Sequence, residues 1–491
     1  MPFAFTLLLA LYLLCSAILV LYGFHHYFML ILFFRAQKKM KVQNAAIVPL
    51  TIDDTELPVV LTQIPLYNEL NVAERVIRAV AAMEYPSDKH IIQVLDDSND
   101  DTCTLVDKVV SELLAQGYQI SAVRRTDRSG YKAGALDYGL QICDAPYVTI
   151  FDSDFVPPRD YLLRTIPHLL ANKQYGLVQA RWGFLNENAS LFTKAQSVGI
   201  DGHFVVEQVA RSYNDYFLNF NGTAGVWRRS AIDDAGGWNA DTLTEDLDLS
   251  YRAQLRNWKI HYLPDLVVPA EIPSSYAAFR SQQFRWAKGS IQTAIKILPK
   301  VWEAEIPLRQ KIESSFHLTH YCLHLCMLLQ AVLGLPLALS DANPFSDFVL
   351  SWYIVPLSLA MVGPSLLYLT AEMWINPKRW WLFITRLPML LLIGFGICFS
   401  NARACLEGFI GVQSPFVRTA KLGDGKVAYS HRSRYMPMIE LTLAVYATAT
   451  AISYSLNGLP GAAPFFILYA AGFFLFSAKS MLEDKQSSKK N

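Results

Sequence analysis

The sequence predicts an α/β domain with a mostly parallel sheet, set between hydrophobic segments that lie in a membrane. Three observations carry this. Hydrophobic residues make up 52% of the chain and charged residues only 17%, too apolar for an ordinary soluble protein. Between Leu57 and about Ile312 the pattern changes to short β-rich runs alternating with amphipathic stretches. Four polar clusters follow one another inside that block: Asp96-Asp97-Ser98, Asp152-Ser153-Asp154, Thr244-Glu245-Asp246 and Gln282-x-x-Arg285-Trp286.

Residues 3–34 are an almost unbroken apolar run ended by Arg35, Lys38, Lys39 and Lys41, which predicts a membrane anchor with its C-terminal end in the cytoplasm. A cleaved signal peptide is the competing reading. The run is too long for one, lacks a basic leader and carries its positive charge on the wrong flank. Strands are predicted at Val59–Ile64, His90–Leu95, Gln119–Val123 and Tyr147–Phe151, with helices between them at Val72–Met83 and Thr102–Ala115. This alternation places ligands at the C-terminal ends of parallel strands, where both aspartate pairs fall.

Beyond Ile312 lie apolar runs at 316–339, 349–374, 382–402, 438–456 and 462–479. If Trp381–Ser400 crossed the membrane, the following loop with Arg403, Arg418, Lys421, Lys426, Arg432 and Arg434 would be extracytoplasmic, against the positive-inside rule. The expectation is therefore about five spans, with 382–410 interfacial or re-entrant. The chain divides into an anchor at 1–41, a cytoplasmic catalytic block at 42–312, a membrane and interface-helix region at 313–481 containing the cytoplasmic loop 411–434, and a polar cytoplasmic tail at 482–491. A formal net charge of +1 gives no reason to expect a nucleic acid partner. The seven cysteines lack paired or metal-ligand spacing and are read as packing residues.

Asp152 and Asp154, directly after an apolar strand, suit a hard divalent cation, Mg2+ or Mn2+, that neutralises a diphosphate; a solvated turn is the plainer alternative. Asp96 and Asp97 suit hydrogen bonds to a base or ribose, or an N-cap for the next helix, with Asp100 or Asp101 as other candidates for the cap. Lys132, in Arg128-Ser129-Gly130-Tyr131-Lys132-Ala133-Gly134-Ala135, suits a phosphate or the nucleotide, with an ordinary surface loop as the alternative. Glu245 and Asp246 open a helical pattern at Leu247–Arg256, so that Asp246 sits where the helix dipole favours a carboxylate; N-capping by Thr244 is the rival reading. Gln282, Arg285 and Trp286 lie in an amphipathic helix, Tyr276–Ile297, suited to stacking on a sugar and balancing a diphosphate, or to anchoring at the interface.

Together these motifs over about 58–300 resemble the processive family 2 glycosyltransferases, the group of cellulose, chitin and hyaluronan synthases. Pro65-Leu66-Tyr67-Asn68-Glu69, Phe220-Asn221-Gly222-Thr223-Ala224-Gly225 and Phe416-Val417-Arg418-Thr419-Ala420-Lys421 look most like the plant cellulose-synthase-like mannan and glucan synthases and their bacterial relatives. The resemblance implies a GT-A type, Rossmann-like catalytic domain inserted between transmembrane helices. It implies that Asp96 and Asp97 contact the nucleotide base, that Asp152 and Asp154 hold diphosphate and metal, and that Asp246 is the catalytic base beside Glu245. Gln282 and Arg285 would contact the donor diphosphate and Trp286 the acceptor sugar, while Phe416, Arg418, Thr419 and Lys421 would belong to a gating loop. Ala420 stands where the related plant enzymes usually have Pro, and regulation through a C-terminal cyclic-di-GMP-binding domain of the bacterial cellulose synthase kind is not expected of this chain.

The expected activity is inverting, metal-dependent polymerisation of hexose from a nucleotide sugar, UDP-glucose preferred over GDP-mannose, into a β-glucan or glucomannan that is exported through the membrane. Partners would be the donor, the growing polysaccharide, the bilayer, and a homo-oligomer or an export protein. The membrane would be a bacterial inner membrane or a Golgi or plasma membrane. The rivals are single transfer to a lipid acceptor, such as polyprenyl phosphate, ceramide or diacylglycerol, and a catalytically silent scaffold or channel subunit.

Overall fold

The computed structural model describes residues 3–45, 57–340, 347–413, 421, 423 and 435–490. Seven strands form one sheet: β1 (Val60–Leu66), β2 (His90–Asp96), β3 (Gln119–Val123), β4 (Tyr147–Ile150), β5 (Tyr175–Phe184), β6 (Gly225–Arg228) and β7 (Lys259–Ala270), in the order β3-β2-β1-β4-β6-β5-β7. The four predicted strands are β1 to β4, and their pairings are all parallel. The predicted helices stand at Ala73–Ala81 and Thr102–Ala115. Along β1, Leu61 faces a core with Val148, Ile150 and Leu136, while Val60 and Ile64 face another with Val76, Val80 and Val109. Burial on both faces explains why β1, β2 and β4 read as largely apolar runs, whereas β3, at the sheet edge, exposes Gln119 and Ser121.

The remaining strands were not anticipated. β5 and β7 are parallel to each other, and β6 runs antiparallel between β4 and β5. This reversal positions the site. Gly225, the first residue of β6, pairs with Ile150, the last of β4, so the loop before β6 emerges at the same sheet edge as Asp152.

The helix Tyr276–Glu303 extends the predicted Tyr276–Ile297 and joins the sheet domain to the apolar helices. A Cβ at Gly289 would lie 2.6 Å from Thr244 Cγ2, so glycine there lets the helix lie directly on the Thr244-Glu245-Asp246 segment. It also packs on the helix Cys398–Phe409, which it meets at Gly408 and through a Lys288–Glu407 ion pair of 2.9 Å.

Among the described residues, four helices are long and apolar enough to cross a membrane: Thr6–Gln43, Val355–Ile375, Met436–Leu456 and Pro460–Lys485. Two bent pairs, Leu308–Thr319 with Cys322–Ala338 at 57° and Trp380–Gly396 with Cys398–Phe409 at 41°, raise the count to six if each is one span. The second pair is the 382–410 element, and its bend marks it as a broken span or a re-entrant loop.

Candidate active site

All four polar clusters meet in one cleft at the C-terminal ends of β1, β2 and β4. Asp97, Lys132, Asp152, Asp154, Glu245, Asp246, Gln282, Arg285, Trp286 and Lys421 all line it. The strand register explains the first part of this convergence. Leu66 and Asp96 are level across β1 and β2, and the chain beyond β4 turns at the same edge.

The two aspartates after β2 have different surroundings. Asp96 is buried, accepts hydrogen bonds from Arg124 Nε at 3.0 Å and the Ser98 amide at 3.1 Å, and is absent from the cleft wall. Asp97 does line the cleft, but both its oxygens are taken by Arg125. Neither caps the next helix; Asp100 Oδ1 accepts from the Thr102 amide at 3.0 Å. Beside Asp97, the guanidinium of Arg128 lies 3.2 Å from the Tyr67 ring centroid, a cation–π stack on the cleft wall that the sequence reading did not single out.

Lys132, in the first turn of the helix Tyr131–Gln141, forms the floor. Its ammonium donates to Asp152 Oδ1 at 2.6 Å and to the Gly222 carbonyl at 2.9 Å, and lies 3.9 Å from Glu245 Oε1. Burial opposes its charge, yet the carboxylates of Asp152, Glu245 and Asp246 hold its pKa above the ordinary lysine range. Gly222 has a φ of 79°, and a Cβ there would lie 2.9 Å from Asp246 Oδ2. Glycine thus permits both the left-handed turn and the close approach of backbone to carboxylate.

Glu245 and Asp246 occupy the first turn of the helix Glu245–Leu255. Thr244 makes no side-chain cap; its hydroxyl pairs with that of Thr293 at 3.1 Å. Asp246 Oδ1 accepts from the Leu247 amide at 2.8 Å. Burial first, and then the neighbouring charge of Glu245, push the Asp246 carboxyl up to about 7. Gln282, Arg285 and Trp286 follow one another at i, i+3 and i+4, so one helix face presents all three to the cleft, with Gly289 one turn further along. Burial pushes the Arg285 guanidinium below its ordinary range, against the pull of Glu245, Asp152, Asp246 and Asp154.

The last wall comes from far along the chain. Lys421 Nζ donates to Asp154 Oδ2 at 2.6 Å and to the Glu271 carbonyl at 3.2 Å, while the Gly423 amide donates to Glu271 Oε2 at 3.1 Å. Burial raises the Asp154 carboxyl's pKa, with the Lys421 ammonium opposing it. Phe416, Arg418 and Thr419 lie outside the described residues.

The chemistry of this donor set bears on a metal. Among the described residues, no group of three or more His, Cys, Asp or Glu side chains is arranged to hold a metal ion. Two carboxylates, each already matched by an ammonium at 2.6 Å, fit a cation whose remaining ligands are phosphate and water.

A family model described as "Glycosyltransferase like family 2" matches residues 58–289. Those residues form a family 2 glycosyltransferase domain. The chain is 38% identical over 380 residues to a probable glucomannan 4-beta-mannosyltransferase 7 of Oryza sativa subsp. japonica, covering 75% of this chain and 62% of that protein. It is 47% identical over 246 residues to glucomannan 4-beta-mannosyltransferase 9 of Arabidopsis thaliana, covering 48% of this chain and 46% of that one. Thus the chain spans roughly half to two thirds of the length of these curated relatives. A mannosyltransferase, PcManGT from Pyrobaculum calidifontis, solved with GDP-Man and Mn2+, superposes with a TM-score of 0.51 at 19% identity, over 74% of this chain and all of that one. That likeness shows the fold: the mixed sheet of this glycosyltransferase domain is of the GT-A type.

Proposed function

We propose that this protein is a membrane-embedded, processive, inverting β-mannosyltransferase that moves mannose from GDP-mannose onto the end of a growing mannan or glucomannan. One observation carries the chemistry: the Lys132 ammonium, the Asp152 carboxylate, the Gly222 carbonyl and the Asp246 carboxylate gather at the strand ends beneath Arg285. The donor assignment is supported by the glucomannan mannosyltransferase relatives, and it replaces the sequence-based preference for UDP-glucose and a glucan.

In this reading Asp246 accepts the proton of the acceptor hydroxyl. The hydroxyl oxygen attacks the anomeric carbon, and the bond to the diphosphate oxygen breaks on the opposite face with its electron pair leaving on the diphosphate. A base whose pKa lies near 7 is matched to that task at neutral pH. Lys132 and Arg285 balance the charge of the departing group, which in a half-buried site is worth more than in water. Asp152 and Asp154 are the residues that would hold a divalent cation, whose contribution is to neutralise the diphosphate further. Trp286 offers an indole face to the acceptor sugar.

The test is incubation of the purified full-length chain in lipid nanodiscs with radiolabelled GDP-mannose or UDP-glucose, with Mg2+, Mn2+ or chelator, followed by sizing and β-mannanase digestion. A long, mannanase-sensitive product from GDP-mannose, abolished by chelator, is expected. Incorporation from UDP-glucose alone would overturn the donor, and label confined to a short lipid-extractable product would overturn processivity.

A further inference from the structure

The loop before β6 holds an amide group that the mechanism above does not use. Asn221 lines the cleft directly before Gly222, whose carbonyl binds Lys132 and whose Cα faces Asp246. Its backbone amide donates to Gln179 Oε1 on β5 at 2.8 Å. Its Nδ2 is buried and, among the described residues, meets no acceptor.

The amide's orientation follows from a relay. The Asn219 carbonyl can only accept, so Gln208 must turn its Nε2 toward it, at 3.1 Å. The same Nε2 is 3.2 Å from Asn219 Oδ1, which places Asn219 Nδ2 on the far side, 2.8 Å from Asn221 Oδ1. Flipping Asn221 would set two amino groups against each other at that distance. Gln208 directly follows a π-helical turn, Gly202–Glu207, that also brings His203 Nε2 to 3.2 Å from Asn221 Oδ1. The relay therefore leaves Nδ2 as the unmatched end of Asn221, a residue that lines the cleft. A buried donor left unmatched is costly, and a ligand acceptor recovers that cost.

The position narrows the ligand. Gly222, the residue directly after Asn221, lies between the Lys132–Asp152 pair, on the diphosphate side of the proposed reaction, and Asp246, on the acceptor side, and Asn221 lines the same cleft. The group that spans those two points is the hexose being transferred. We infer that Asn221 Nδ2 donates to a hydroxyl of the donor hexose and so selects among nucleotide sugars. This deepens the glycosyl-transfer reading and rests on it.

The test compares wild type with Asn221→Ala and Asn221→Ser, using GDP-mannose and its 2-, 3-, 4- and 6-deoxymannose analogues, with free GDP as a competitive inhibitor. Loss of the amide should lower kcat/KM for GDP-mannose by about 10- to 100-fold while the GDP inhibition constant stays within about twofold. One deoxy analogue should be rejected by wild type and no longer rejected by the variants. Equal discrimination by wild type and variants across all four analogues overturns the inference, as does a variant with unchanged kcat/KM. Wild type supplies a check that needs no variant: if no deoxy donor costs it more than about threefold, no donor hydroxyl is read and the inference fails. Turnover of none of these donors by wild type would instead count against the GDP-mannose reading on which the inference rests.

Discussion

Lys132 and Lys421 each place an ammonium 2.6 Å from one carboxylate of the Asp152-Ser153-Asp154 motif, but they come from opposite kinds of region. Lys132 belongs to the sheet domain. It stands on a helix packed against the strands and is gripped by Asp152, the Gly222 carbonyl and the nearby Glu245. Lys421 arrives from beyond the bent helix pair and is held by Asp154, the Glu271 carbonyl and, through its own carbonyl, Asn71 Nδ2 at 3.3 Å. The difference separates a floor cation, held within the sheet domain, from a strap cation that reaches Asp154 from far along the chain. On the proposed reading the floor cation acts in every turnover, whereas the strap cation competes with whatever else binds at Asp154.

The floor side should show the largest effects. Asp246→Asn removes the proton acceptor without changing the shape of the loop, and kcat should fall by at least about 1,000-fold. GDP binding, measured by calorimetry, should stay within a few-fold. Wild-type turnover by this variant would remove Asp246 from its role, and loss of GDP binding would show that it shapes the donor site. Lys132→Met comes next, with kcat/KM lower by about 100-fold, because one charge-balancing donor is lost from a site where Asp152, Glu245 and Asp246 depend on it. If Lys421→Met proved the more damaging of the two, the division into floor and strap would be reversed.

The same division marks what the sequence could say. β1, β2 and β4 were legible because strands buried on both faces are largely apolar runs, and the exposed edge strand β3 was legible through the regular alternation of strands with turns and helices. β5 to β7 were missed. β7 carries His261, Pro264, Asp265 and Pro269, which break the period. With β6 went its reversed direction, and with that the reason why Asn221 and Gly222 face Asp152 and Asp246. The Asn-Gly pair was a signal for a left-handed turn, yet nothing local tells which carboxylate that turn approaches. Likewise Arg124 and Arg125 follow β3 and reach Asp96 and Asp97 only because β2 and β3 are neighbours. Pairings set by tertiary structure are invisible to spacing along the chain.

On the strap side the expected effect is smaller and has a different signature. With Lys421→Met, Asp154 loses its ammonium partner, so the Mn2+ concentration needed for half-maximal rate should fall by about 3- to 10-fold. Lys132→Met should not show that fall in the same proportion, because Lys132 is also held by Gly222 and Glu245. An unchanged Mn2+ requirement in Lys421→Met would mean that the strap does not occupy Asp154 in the free enzyme.

The smallest effect sharpens the floor itself. Asp246 must be ionised to act as a base, and burial together with Glu245 raises its pKa to about 7. In the free enzyme kcat/KM should therefore drop about tenfold per pH unit below 7 and level off above it. Glu245→Gln removes the like charge, which lowers the Asp246 pKa and moves that limb toward acid. At pH 6 the variant should lose less of its own plateau rate than wild type does, even where its plateau is lower. A limb that stays in place would assign the raised pKa to burial and the charge of Asp152 rather than to Glu245. A limb that moves toward alkali would show that Glu245 serves Asp246 chiefly by holding the Lys132 ammonium close, since loss of that cation is what would raise the pKa further.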